Sequence, residues 1–179
     1  MTGLTPRAVA GRTLLVTAGL AAASVSAAGA EAEALVVVLR GIGSKMFDYR
    51  RLGAEAEALA VVSRWAEAFA ASDVNAIVGL YAPDALLIGT GSRTVATGPD
   101  EIRRYFEDAF VTRHPRAAPM TSLHVKVLSE DAAVVTGMND TTGVLDGKPY
   151  LNPGRVTFVI ARSGPDWRIV HFHRSAVPR

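Results

Sequence analysis

The chain contains no cysteine. That removes disulfides, thiolate metal sites, a cysteine nucleophile and a lipid-modified N-terminal cysteine from consideration, and it fits an oxidising or a reducing compartment equally. No acidic residue occurs in the first thirty positions. No run of Lys and Arg exceeds the doublets Arg50-Arg51 and Arg103-Arg104, and no nucleic-acid motif is present, so nucleic-acid binding is not expected. A Ser-His-Asp signature, a phosphate loop and a dinucleotide fingerprint are all missing. The Gly-x-Gly at Gly89–Gly91 has neither a third glycine nor a βαβ setting. No cofactor site and no metal site are therefore expected.

What remains is globular in composition: 179 residues, 49% apolar and 20% charged. This length suits one domain with a proper core and is short for two. The formal charge of +2 rests on 19 basic and 17 acidic residues. Arg7 and Arg12 account for the excess, since 19 − 2 leaves 17 against 17 beyond residue 30.

Residues 1–30 have the layout of a secretory signal. Arg7 and Arg12 form the positive region, Thr13 to Val25 the apolar stretch, and Ala28-Gly29-Ala30 an A-x-A cleavage site. Cleavage there predicts a secreted or periplasmic protein with no stable membrane insertion afterwards. An uncleaved anchor and a true start at Met46, which would give a cytoplasmic protein, are the competing readings. Residues 31–53 form a linker or arm without an assigned role, and the run Ala34–Leu39 is too short to span a bilayer.

Helical spacing begins at Ala54, with Leu59, Val62, Ala66 and Phe69 in phase and Trp65 beside them. Ser72-Asp73 stops this helix and caps a second, expected from Val74 to Tyr81. Ala85 to Thr90 reads as a buried strand paired with Arg93 to Thr97. Gly98-Pro99-Asp100-Glu101 opens a third helix with Ile102, Tyr105, Phe106 and Phe110 inward. From Thr121 the period changes to two, through four long strands ending in Asp166 to Ser175. Helices followed by strands predict an α+β domain: about three helices packed on a curved antiparallel sheet. In the last strand, strict alternation places Trp167, Ile169, His171, His173 and Ser175 on one side.

That strand, with its stretch WRIVHFHRSAVP, resembles the end of the association domain of calcium/calmodulin-dependent protein kinase II. It is similar also to the small bacterial SgcJ/EcaC-like and SnoaL-like proteins of the NTF2-like superfamily. LYAPDALLIGT (Leu80–Thr90), TGPDEIRRYFEDAF (Thr97–Phe110) and GRVTFVIAR (Gly154–Arg162) extend the likeness, which spans roughly Ala54 to Pro178. The resemblance implies that the sheet curls into a cone enclosing a pocket, within a domain at 54–179. It also implies a cavity-facing Arg155 as an anchor for an anion, with Arg103 as a second candidate. A third cavity arginine of the kinase module is replaced near Asp140, which would allow an Arg155–Asp140 pair inside the cone.

Asp140, His171 and His173 are the candidate catalytic residues. A mid-strand acid is unusual unless paired or functional, and imidazole titrates near neutral pH. A zinc site on the two histidines would need a third ligand such as His124 or Asp140. Trp65, Tyr81, Tyr105, Phe106 and Trp167 are core residues of which some must line any cavity. Three functions follow as expectations: a self-associating protein that binds a small organic molecule in its cone; a cofactor-independent isomerase, dehydratase or hydrolase using Asp140 and the histidines; or an assembly module alone.

Overall fold

The computed structural model describes Met46 and residues 50–178. The segment expected to be a signal, and the arm as far as residue 49 apart from Met46, lie outside the described residues. Residues 50–53 of that arm belong to the first helix, α1, which is helical over 50–70. Ala54, Ala58, Val61, Val62, Trp65, Ala68 and Phe69 are its buried stripe, the spacing of an amphipathic helix lying on a core.

Ser72 (φ 54°) turns the chain, and Asp73 caps α2 by accepting from the Ala76 N–H at 2.9 Å. Helix α2 is Val74–Val78, three residues shorter than expected. Gly79 closes it, and Leu80 is drawn away because its carbonyl accepts from Ile169 N–H at 2.8 Å. Strand β1, Tyr81–Ile88, follows at once. Its Pro83 is tolerated because the register with its neighbour shifts between Tyr81 and Leu86. The short β2, Ala96–Thr97, leads into α3, Gly98–Arg113. Pro99 in the first turn, Asp100 and Glu101 at the positive end, and Glu101 Oε2 accepting from Thr97 N–H at 2.8 Å start this helix. Left-handed His114 and then Pro115 end it.

Strands β3 (Pro115–Ala117), β4 (Met120–Ser129), β5 (Ala132–Leu145), β6 (Lys148–Ser163) and β7 (Asp166–Ala176) complete one curved, open seven-stranded sheet. Its order is β2-β1-β7-β6-β5-β3, with β4 also on β5. The sheet is mixed and not wholly antiparallel, because β1 and β7 run parallel. The helices cover one face. There Trp65 stacks on Phe69 and Phe172 at 5.1 and 5.2 Å and meets Phe158 edge-on at 5.4 Å.

One bulge decides which way the end of β7 faces. His171 pairs with Val159, but Ile169 pairs with Ile160, so Val170 is an extra residue. Trp167 and Ile169 are buried before it, Phe172 and Arg174 after it. The strict alternation expected for β7 is therefore broken. His171 and His173 lie on the face away from the helices.

Candidate functional site

Between the helices and the sheet lies a cavity with about 500 Å³ of free space, mouth included. Its walls are Trp65 and Phe69 of α1, Tyr105, Phe106, Ala109 and Arg113 of α3, Pro115, Thr141 of β5, Tyr150 and Asn152 of β6, and Phe172 and Arg174 of β7.

Arg174 is 7% exposed. Its Nε donates to Asn139 Oδ1 at 2.9 Å, one terminal nitrogen to Thr90 Oγ1 at 2.5 Å, and the other to the Asn152 carbonyl at 2.7 Å. A guanidinium has five N–H groups, so two are left over. Among the described residues no carboxylate lies within ion-pair distance of it. Burial draws its pKa down, while Tyr105 and Asp140 favour the charged form; an arginine remains a cation under such a shift. Asn139 Nδ2 and Tyr150 Oη are also buried without a partner. Arg113, near the end of α3, hydrogen-bonds Tyr105. Burial raises the pKa of both Tyr105 and Tyr150, so both phenols stay protonated at neutral pH.

Three glycines make space for these groups. A Cβ at Gly89 would lie 1.9 Å from Tyr105 Oη, at Gly143 2.6 Å from the Tyr150 ring, and at Gly154 2.4 Å from an Arg174 nitrogen. Glycine inside a strand, as at Gly143 and Gly154, is the available sequence signal for such a close approach, while Gly89 directly follows β1. Arg174, Arg113, Tyr150, Asn139 and Asn152 were not singled out from sequence.

Of the residues that were, Trp65, Tyr105 and Phe106 are in the cavity wall. Tyr81 stands behind it, with its oxygen accepting from Trp65 Nε1 at 3.1 Å; burial pushes its pKa well up. Trp167 is packed elsewhere, under the Arg162 guanidinium at 5.3 Å. Arg103 binds Asn75 Oδ1 at 2.8 Å, tying α3 to α2 outside the cavity. Arg155 is exposed, because the inward position on β6 belongs to its neighbour Gly154. Asp140 is half-buried between the inward Asn139 and Thr141, on the outer face with the two histidines. The expected pair of Arg155 and Asp140 inside the cone is not formed. His124 is also exposed, and no group of three metal-ligating side chains occurs among the described residues.

A helix-covered, curved α+β sheet enclosing a cavity is the NTF2-like cone. The SnoaL-like domain matches residues 58–179, and the chain belongs to that family. A solved structure from Xanthomonas campestris, a putative calcium/calmodulin-dependent protein kinase II association domain, is 32% identical with TM-score 0.63. That match covers 69% of this chain and 87% of the other. A ketosteroid isomerase-like protein from Erwinia carotovora atroseptica (23% identity, TM-score 0.61, 69% and 96% covered) has the same fold. So does a putative dehydratase of the NTF2-like family from Streptomyces avermitilis (17%, 0.63, 71% and 98%). Comparison with curated proteins gives no match.

Proposed function

We propose that this protein binds a small organic acid in its cavity and self-associates. The observation that carries the ligand reading is Arg174, a buried cation with two N–H groups to spare and no carboxylate partner among the described residues. Burying an uncompensated charge is unfavourable, and a ligand carboxylate is the group that relieves it, since guanidinium and carboxylate pair in a bidentate fork. Trp65, Phe106 and Phe172 offer an apolar slot for the ligand's body, and the Tyr150 hydroxyl adds a donor.

Base catalysis is the weaker reading. Asp140, His171 and His173 are on the opposite face of the sheet, and the titratable groups of the cavity wall are two arginines and two protonated tyrosines. None of these accepts a proton readily at neutral pH.

The test is calorimetric titration with small aromatic and aliphatic carboxylates, each beside its primary amide. Acids should bind, amides should bind at least ~10-fold more weakly, and Arg174→Met should weaken the acid by about 100-fold or more, the loss expected for a desolvated charge pair. Equal affinity for acid and amide would sink the carboxylate assignment. Turnover of an isomerisable or dehydratable substrate that Asp140→Asn abolishes would reinstate the enzyme.

A further inference from the structure

The cavity holds a second cation, which an organic acid bound at Arg174 alone would leave without a partner. Arg113 lies in the wall with Tyr105, Pro115 and Tyr150. It ends α3, and the sequence of that helix explains why none of its acids reaches Arg113. Acidic side chains pair with a helical arginine from three or four residues away; for Arg113 those positions are Phe110 and Ala109. The other arginines of α3 do find such partners, Arg104 with Glu101 at 3.6 Å and Arg103 with Glu107 at 4.0 Å. Among the described residues no carboxylate forms an ion pair with Arg113. The negative end of a helix favours a cation, but that accounts for the charge of Arg113 and not for its place in the cavity wall.

Consecutive residues after β1 link the two guanidinium groups. Tyr105 Oη occupies the space that a Cβ on Gly89 would fill, Thr90 Oγ1 accepts from Arg174 at 2.5 Å, and a Cβ on Gly91 would stand 3.3 Å from an Arg113 nitrogen. With Thr90 and Gly91 one Cα step of about 3.8 Å apart, the nearest nitrogens of the two cations are at most about 13 Å apart. Tyr105 and Tyr150 each feel both: burial raises their pKa, and Arg113 and Arg174 both act against that rise. Arg113 also adds to the downward pull of burial on Arg174, so the two cations repel each other across the same space. Arg174 is buried and Arg113 half-buried, which places one deep and the other towards the mouth. No acidic side chain lines the cavity.

We infer that the ligand of this cavity is a short dicarboxylic acid, with one carboxylate on Arg174 and the other on Arg113. The inference rests on the carboxylate reading proposed above and narrows it. A monoacid neutralises one of two cations in a wall free of acids. A second carboxylate meets the other, and each can form the forked pair of bonds that a guanidinium offers. The separation of the cations limits the ligand's length. With N–H···O bonds of about 2.8 Å at each end, its outer oxygens are at most about 7 Å apart, the reach of a benzenedicarboxylate or a succinate-like chain. Trp65, Phe106 and Phe172 then cover the carbon skeleton. Arg174 comes from the sheet and Arg113 from the end of α3, so two separated charges suit them better than the single centre of a phosphate monoester.

The test is calorimetric titration of the full chain with terephthalate, its half-amide and phenyl phosphate. Terephthalate should bind at least ~10-fold more tightly than the half-amide, of which a factor of about two is statistical, because its two ends are equivalent. Arg113→Met should reduce that ratio to about two, while Arg174→Met should weaken diacid and half-amide alike. The longer, rigid biphenyldicarboxylate should show no such advantage over its own half-amide, and an equal advantage would overturn a short ligand. Half-amide binding with a ratio of about two or less in the unaltered chain leaves the carboxylate reading standing and overturns the dicarboxylic acid. A ratio that survives Arg113→Met removes Arg113 from the site. Phenyl phosphate bound as tightly as terephthalate overturns the ligand class. If neither diacid nor half-amide binds, the carboxylate reading itself falls.

Discussion

The two faces of the sheet are written in the same strands, one residue apart, and they differ in almost every respect. The inner face holds Val135, Phe158, Ile160, Ile169 and Phe172, all at most 1% exposed, with Arg174 as its one buried charged group among the described residues. The outer face carries threonines, three histidines and a separated Arg155 and Asp140, none of them buried. A polar group costs little where water reaches it and must be fully satisfied where water does not. The lone inner arginine is therefore informative in a way that the outer charges, singly, are not.

Adjacent residues give the sharpest contrast. Phe172→Ala should destabilise the fold by about 3–5 kcal/mol, because it empties a ring position stacked on Trp65 and packed edge-on to Phe158. His173→Ala, one residue on, should change stability by about 0.5 kcal/mol or less. Urea unfolding measures both. A larger loss at His173 than at Phe172 would mean that the bulge at Val170 is misplaced and the faces are exchanged.

Gly154→Ala probes the inner face more finely. The added methyl would stand 2.4 Å from an Arg174 nitrogen, so the guanidinium must shift, at the expense of its bond to the Asn152 carbonyl. The far end of a flexible side chain can move, so the loss of stability should stay near 1–2 kcal/mol, the range of overpacking changes. Affinity for the organic acid should drop by about 10-fold, or 1.4 kcal/mol, while Arg155→Ala leaves that affinity unchanged. Titration of the two variants in parallel decides it; unchanged affinity in Gly154→Ala would remove Arg174 from the binding site.

Period and punctuation made much of the architecture legible. The α1 stripe, the Pro99 start of α3 and the change to a two-residue period at Thr121 are each produced by local chemistry that a sequence displays. The facing of β7 was not legible, because a bulge is a one-residue insertion with no composition of its own at Val170. Alternation counted through it sends His171 and His173 inward and Arg174 outward, the reverse of the structure. Arg155 was drawn inward by resemblance, although its neighbour Gly154 marks the crowded position. Gly89, Gly143 and Gly154 held the missing information, but they identify the ring or guanidinium beside them only once the strands are in register. The parallel pairing of β1 with β7 joins residues some 85 positions apart, such as Leu86 and His171, and no local signal encodes it.

The smallest effect is a pH dependence on the outer face. Burial lowers the pKa of His171 from its ordinary 6.5, and the nearby His173 lowers it further. Its lateral neighbours are Leu86 on β1 and Val159 on β6, with Lys126 two strands beyond, so no facing carboxylate offsets the shift. The folded chain thus holds fewer protons on this ring than the unfolded chain in the interval between the two values, and stability rises with pH there. The contribution is complete above 6.5 and is lost as pH falls through the folded-state value. Urea midpoints taken between pH ~8 and ~5 should decline on the acid side, and His171→Asn should flatten that decline. A decline of the same steepness in His171→Asn would assign it to other groups and leave the outer face without a proton-linked role in folding.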